Sequence, residues 1–334
     1  MNNKRIGIVG AGNWGTVLAI YLENEGKSPV LYEYFKDRAE CLNRERENKK
    51  YLKGYKLNKN ILITNDVDEI SRICDVIFFV QPSHTLKNVA SLLKNYINDK
   101  IIASFTKGID PDTLQRMSEI LEDLFSGQKD KVIAVSGPSI AREVVRNVPT
   151  SMVAASKDIK RARIIQNLLS GRRMRIYTSN DIVGVELGGA LKNVYAIASG
   201  ICDGMSLGMN AKAALLTRST HELSRLGIKM GGDKLTFAGL SGFGDLIVTS
   251  FSPYSRNRTV GERLGKGENL EDILEGMVEV AEGVRTAKSI ASLSSKYSVE
   301  MPIAKEVYNI LFKNKNPKDS ILDLMQRELK MEER

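Results

Sequence analysis

Gly10-Ala-Gly-Asn-Trp-Gly15 follows the apolar run Ile6–Val9 and precedes residues 16–25, a stretch with helical patterning. A GxGxxG by itself recurs in many unrelated turns, and the order strand, glycine turn, helix is what makes this one informative. In that setting Gly10 permits the tight turn, Gly12 lets a pyrophosphate approach the backbone, and Gly15 lets helix and strand lie close together. The helix N-terminus adds unpaired N–H groups and a partial positive charge suited to phosphates. A second apolar run, 29–32, leads into Glu33, which lies 18 residues beyond Gly15. A carboxylate about 20 residues on is where a dinucleotide-binding βαβ unit needs an acceptor for ribose hydroxyls. The opening of the chain therefore predicts such a unit, against the simpler reading of a glycine turn in some other α/β protein.

Outward from this stretch, short β-rich runs alternate with helical segments, with candidate strands at 5–9, 29–32, 75–80, 100–105, 131–136 and 152–155. Several are continuous apolar runs, the pattern of parallel strands covered on both faces. Strands alternating with helices predict a doubly wound sheet. From Asp181 onward β-type runs nearly vanish and Ala, Leu, Gly and charged residues recur at helical spacing. The expectation is an α/β Rossmann-type dinucleotide-binding domain over 1–183, then an all-α substrate domain over 184–334. With no Pro- or Ser-rich linker between them, the junction is expected to be a helix packed against both.

A chain of 334 residues, 42% apolar and 27% charged, is long enough for two cores. No apolar run approaches the ~18 residues of a membrane span. Lys4-Arg5 followed by apolar residues imitates a signal peptide, but Gly10, Gly12, Asn13, Trp14 and Gly15 interrupt the apolar core. The three cysteines, Cys41, Cys74 and Cys202, are widely spaced and form no CxxC, which argues for a reducing compartment and against a zinc ribbon. A cytoplasmic protein is expected. With only two histidines, His84 and His221, no metal site is expected. The net charge of +9 is dispersed over scattered Lys and Arg, without a long basic run or aromatic interleaving. That composition argues against nucleic acid as a partner and suits capture of small anions.

Three predicted strand ends carry polar residues: Gln81-Pro82-Ser83, Thr106-Lys107-Gly108 and Gly137-Pro138-Ser139. In open α/β sheets ligands bind beyond the carboxyl ends of the strands, so three such turns at one edge suggest a cleft. Farther on, Gly189, Lys192, Ala196 and Ser199 share one helical stripe. Lys192 is then either a buried lysine with room beside it for a flat ligand, or one that reaches out past a helix contact. Residues 239–245 form a glycine-rich turn ending in Asp245, a functional carboxylate or simply an N-cap. Ser255 reads as the N-cap of a further helix, with Arg256 and Asn257 in its first turn. The helix dipole disfavours a cation there unless an anion is bound, and a guanidinium suits phosphate. The run 261–267 imitates a P-loop but is one residue short and lacks its Ser/Thr.

The stretches GAGNWGT (10–16), TKGI (106–109), SGPSIARE (136–143), VELGGALKNV (185–194), NAKAAL (210–215), GFGDLIVT (242–249), YSRN (254–257) and VAEGVRT (280–286) resemble, in content and order, NAD(P)-dependent sn-glycerol-3-phosphate dehydrogenases. The resemblance covers nearly the whole chain. It implies reversible reduction of dihydroxyacetone phosphate to glycerol 3-phosphate for glycerophospholipid synthesis, the two-domain architecture and a homodimer. It implies Lys192 as general acid/base, with Lys107 and Asp245 beside it moving its proton affinity in opposite directions. Substrate contacts implied are Lys107, Gly137, Ser139, Lys192, Asp245, Ser255, Arg256 and Asn257. Cofactor contacts implied are Asn13, Trp14, Lys107, Ala141, Arg256, Val280 and Glu282, joining Gly10, Gly12, Gly15 and the Glu33-Tyr34 pair. Many bacterial members place a small residue and then an arginine after the second strand, where this chain has Glu33-Tyr34. Glu33 would repel a 2′-phosphate, so NADH is expected over NADPH, with Lys36 and Arg38 able to accommodate NADPH if their loop folds back. Two rivals remain: a related β-hydroxyacid dehydrogenase or ketopantoate reductase, and an NAD(H)-sensing protein without turnover.

Overall fold

Phe78 and Phe79 are adjacent and fully buried, yet they belong to different hydrophobic clusters. Successive side chains of a strand point to opposite faces, so this pair marks a strand covered on both sides. The computed structural model describes residues 4–97, 99–329 and 331–332. Its strands are β1 (Ile6–Val9), β2 (Val30–Tyr32), β3 (Leu62–Thr64), β4 (Val76–Phe79), β5 (Ile101–Ser104), β6 (Ile133–Ser136), β7 (Thr150–Ala155) and β8 (Met174–Ser179). They form one sheet in the order β3-β2-β1-β4-β5-β6-β7-β8. Strand order reverses between β1 and β4, and such a switch point opens a crevice at the carboxyl edge.

The helices of this part are α1 (Asn13–Asn24), α2 (Lys36–Glu45), α3 (Val67–Ile73), α4 (Ser83–Leu92), α5 (Met117–Leu124), α6 (Ala141–Val144) and α7 (Ile159–Leu169). Residues of α1 and α7 pack with Ile6, Ile8 and Phe78 on one face of the sheet. Residues of α3, α4 and α5 pack with Val9, Ile77 and Phe79 on the other.

Two strands fall outside the runs read from the sequence. β3 has only three residues, and β8 is an edge strand whose Met174 and Ile176 point inward between exposed Arg175 and Tyr177. The expected parallel pattern also breaks once, because β7 pairs antiparallel with β6. The four residues of α6 cannot carry the chain back along the sheet, so it re-enters from the same end, whereas α7 is long enough to set β8 parallel to β7.

The remainder is helical: α8 (Ile182–Gly204), α9 (Gly208–Lys229), α10 (Lys234–Ala238), α11 (Asp245–Phe251), α12 (Arg256–Gly265), α13 (Leu270–Glu275), α14 (Glu282–Lys296), α15 (Pro302–Lys313) and α16 (Pro317–Met325). A π-helical turn at Leu240–Gly244 leads into α11. Helix α8 is apolar nearly all round and almost wholly buried from Ile182 to Ile201, as expected of a central helix. The expected boundary between residues 183 and 184 falls in its first turn. The helix packs on β6, α9, α11, α12 and α14, so it joins the two parts without a linker. No single helix among the described residues is long and apolar enough to cross a membrane.

The α8–α12 crossing is close because glycines face backbone: a Cβ on Gly200 would lie 2.0 Å from the Arg258 carbonyl oxygen, and one on Gly261 would lie 1.9 Å from that of Ile197. Gly200→Ala should therefore push α12 away and lower stability by at least the ~1–3 kcal/mol typical of overpacking, read as a lower urea midpoint.

Candidate active site

Gly10 has φ +120°, a conformation that favours glycine, and its N–H donates to the Tyr32 carbonyl at 3.1 Å. A Cβ on Gly15 would sit 1.9 Å from the Gly10 carbonyl oxygen, whereas a Cβ on Gly12 would meet nothing within 4 Å. The turn thus closes on itself at Gly15 and stays open at Gly12, which precedes the first residue of α1. Buried polar groups are nearly always paired, yet Asn13 Oδ1, at the start of α1, and Gln81 Nε2, in the residue whose backbone borders Gly10, are buried with no hydrogen-bond partner. Open space over a helix N-terminus, flanked by unsatisfied donors and acceptors, fits a dinucleotide.

Beyond β2, Glu33 is buried; its Oε1 accepts from the Phe35 N–H at 3.1 Å and its Oε2 lies 3.2 Å from Arg38 Nη2. Burial raises the Glu33 carboxyl above its ordinary range, against the Phe35 N–H and Arg38, which favour the charge. Arg38 folds back toward the glycine turn and also reaches the Ala11 carbonyl at 3.4 Å, while Lys36 turns outward toward Glu40. Tyr34 and Phe35 are exposed and meet edge to face.

The turns after β5 and β6 meet the helical part around one carboxylate. Lys107 donates to Asp245 Oδ2 and, at 3.3 Å, to the Gly137 carbonyl. Lys192 donates to Asp245 Oδ1 at 2.8 Å and to the Thr249 hydroxyl, which in turn donates to Asp245 Oδ1 at 3.3 Å. Lys192 is 5% exposed and Asp245 2%, so this lysine does not reach past the helix contact to water. Burial pulls the Lys192 ammonium down to about 8, assisted by Lys107 and opposed by Asp245. Burial alone would raise the Asp245 carboxyl, but Lys107 and Lys192 outweigh it and hold it below its ordinary range.

Asp245 is not an N-cap. Its backbone is already helical, and its side chain turns to the two lysines. The small residues on the Lys192 stripe serve packing: Gly189 faces Ser136, and Ser199 donates to the Ser250 carbonyl. Thr249 was not singled out from the sequence, although as i+4 to Asp245 it shares that residue's helix face.

Ser255 caps α12 by accepting from the Arg258 N–H at 3.2 Å. Asn257 is buried, donating to Asn193 Oδ1 and accepting from the Gly283 N–H, both at 2.9 Å, so it ties α12 to α8 and α14. Arg256 is half exposed and pairs with Glu279 at 3.3 Å, and Glu279 also accepts from Asn13 Nδ2 at 3.2 Å. Glu282 crosses to the sheet side, accepting from the Ser83 N–H at 2.9 Å and its hydroxyl at 2.6 Å. Ser139 donates to the Gly137 carbonyl at 3.0 Å, Trp14 and Ala141 pack on the sheet core beneath the turn, and Val280 lies between Glu279 and Glu282. Neither Glu279 nor the Ser83–Glu282 pairing was read from the sequence, since each joins residues far apart in the chain. Among the described residues no group of three or more His, Cys, Asp or Glu side chains could hold a metal ion.

Two family models account for most of the chain: the N-terminal part of NAD-dependent glycerol-3-phosphate dehydrogenase matches residues 5–162, and its C-terminal part matches 181–322. The chain belongs to this family. It is 44% identical over 329 residues to the glycerol-3-phosphate dehydrogenase [NAD(P)+] of Syntrophotalea carbinolica, covering 98% of this chain and 99% of that one. It is also 44% identical over 329 residues to the enzyme of that name from Syntrophobacter fumaroxidans, covering 98% and 97%. The crystal structure of glycerol-3-phosphate dehydrogenase from Coxiella burnetii superposes with a TM-score of 0.92 at 34% identity, over 97% of this chain and 99% of that one. In this glycerol-3-phosphate dehydrogenase family member, the two matched parts meet at α8 and at the carboxylate it helps to bury.

Asp245→Asn would leave two ammoniums beside each other without their carboxylate, which for a buried pair costs about 3–5 kcal/mol. Lys192 would respond by titrating lower still. A buried base whose folded value lies below its unfolded one destabilises most while charged, so the variant's deficit in melting temperature should shrink as pH rises from 7 to 9. A calorimetric pH series on both proteins checks this.

Proposed function

We propose that the protein reversibly reduces dihydroxyacetone phosphate to sn-glycerol 3-phosphate with NADH or NADPH, supplying glycerophospholipid synthesis. The observation that carries this reading is the pair of ammoniums, Lys192 and Lys107, sharing one buried carboxylate at the crevice edge. Bound NAD(P)H supplies the hydride to the ketone carbon. Negative charge then develops on the ketone oxygen, where Lys192 donates a proton and Lys107 adds electrostatic stabilisation. An ordinary lysine titrates near ~10.4 and is a poor acid–base partner at neutral pH, whereas a value of about 8 leaves Lys192 mostly charged at pH 7 yet able to give up its proton. Asp245 keeps Lys192 oriented, with Thr249 as the second acceptor for its ammonium.

The substrate phosphate is assigned to the start of α12, where Arg256 offers a fork of donors beside Ser255 and Asn257. Asn257 acts there by fixing the helix. Gly137 and Ser139, in the turn whose carbonyl Lys107 holds, are assigned to the same substrate. The cofactor is assigned to the open turn at Gly10, Gly12 and Gly15, with Asn13, Trp14, Ala141, Val280 and Glu282 around it and Tyr34 as a flat surface for the adenine. Glu33 would accept from the ribose and repel a 2′-phosphate, so NADH is favoured. Arg38 is held by Glu33 and is the residue able to soften that preference. The dinucleotide-binding domain is assigned to 1–183 and the substrate domain to 184–334, in a homodimer.

Initial rates with dihydroxyacetone phosphate should show rapid oxidation of NADH and slower oxidation of NADPH at matched concentrations. Reduction that ignores the substrate phosphate would favour a β-hydroxyacid dehydrogenase, and NADH binding without turnover would favour a sensor.

Lys192→Ala should lower kcat by about 10²–10⁴-fold while leaving the folded state intact by circular dichroism. In the parent protein, reduction should decline as pH rises through about 8, because the acid loses its proton, while oxidation of glycerol 3-phosphate should increase over the same interval. A pH profile lacking an inflection near 8 removes Lys192 from this role.

A further inference from the structure

Glu279 lies between α13 and α14, and its two carboxylate oxygens reach opposite walls of the crevice. Oε1 accepts from Asn13 Nδ2 at 3.2 Å, and Oε2 lies 3.3 Å from Arg256 Nη1. Asn13 is the first residue of α1 and Arg256 the first residue of α12, helices of 12 and 10 residues. The carboxylate therefore sits between the amino ends of two helices, held by an amide and a guanidinium, in the surroundings that favour an anion. Asn13 Oδ1, on the same amide, is buried without a partner, so this side chain is only half satisfied by Glu279. The position borders Gly12, where the backbone is open to an approaching ligand.

We infer that Glu279 is an internal anion that stands in for the cofactor's pyrophosphate, bridging the glycine turn to α12 until the pyrophosphate displaces it, and that it thereby sets cofactor affinity. This rests on the assignment of the cofactor to the glycine turn. The pair is built to yield. The Glu279 side chain is 26% exposed and that of Arg256 47%, and a partly solvated ion pair of this kind is weak and screened by salt. A pyrophosphate would bring more charge to Asn13 and would have the N–H groups at the start of α1 within reach. Its entry releases Arg256 from Glu279 and leaves the guanidinium free to bind phosphate.

Full-length Glu279→Gln and Glu279→Ala, compared with the parent protein, test this by NADH fluorescence titration and by competition of inorganic pyrophosphate against NADH. Removing the internal competitor should tighten NADH about two- to fivefold, the size expected of a partly exposed ion pair, and strengthen pyrophosphate competition by the same factor. The gain should shrink at high salt, and adenosine, which has no phosphate, should compete equally in all three proteins. Unchanged or weaker NADH binding in both variants overturns the inference, as does a gain that extends to adenosine, which would mean a reshaped groove. If neither the parent nor the variants bind NADH, the failure lies in the cofactor assignment itself.

Discussion

Asp245 is a carboxylate almost completely removed from water, and a charge so placed persists only if it is paired and hydrogen-bonded. Its partners come from the turn after β5 and from α8, while Asp245 itself opens α11. Satisfying this one group therefore requires the end of the sheet and two helices of the second part to meet at one point. The approach is possible because the residues around it are small: a Cβ on Gly189 would lie 2.4 Å from Ser136 Oγ, and one on Gly188 would lie 2.8 Å from the Ser241 carbonyl oxygen. The same burial that demands the pairing lowers the proton affinity of Lys192, so the packing of α8 and the chemistry of its lysine have one cause.

Around that point the two parts are tied by polar contacts as well as by apolar packing. Glu186, early in α8, accepts from the Ser118 N–H at 2.8 Å and pairs with Arg116, fixing the helix to the start of α5. Ser289 of α14 donates to the Ile109 carbonyl at 2.9 Å just beyond the Lys107 turn. Glu282 binds the start of α4, and Glu279 reaches α1. Two of these ties, at Glu186 and Ser289, are buried and hold the frame, while Glu279 is partly solvated and lies at the open turn. That gradient, from buried pins to an exposed bridge, places the deformable contact where a ligand must enter.

Local pattern made much of this legible. The glycine turn was readable because positive φ at Gly10 and contact at Gly15 restrict those positions to glycine whatever surrounds them. The buried strands were readable because two-sided burial demands continuous apolar runs. The three polar turns at the carboxyl edge followed from the parallel order of those strands. β3 escaped because three residues carry too little periodicity, and β8 because in an edge strand Arg175 and Tyr177 alternate with Met174 and Ile176, so it has no continuous apolar run. The reversal at β7 depends on how far the short α6 can carry the chain, which no apolar pattern records.

The sequence by itself determined the class of fold, the change from strands to helices near Asp181, and the presence of one lysine at a strand end, another on a helical stripe, and a carboxylate and an arginine at turns and helix starts. Only the tertiary structure decided what those groups do to one another. It made Asp245 a counter-ion where an N-cap was equally readable, turned Asn257 into a pin between helices, and set Glu279 across the crevice. Fold class is written in short-range periodicity, which each segment carries alone. Charge pairing and desolvation depend on distances between residues 53 to 266 positions apart, and those distances exist only once the two parts have packed around α8.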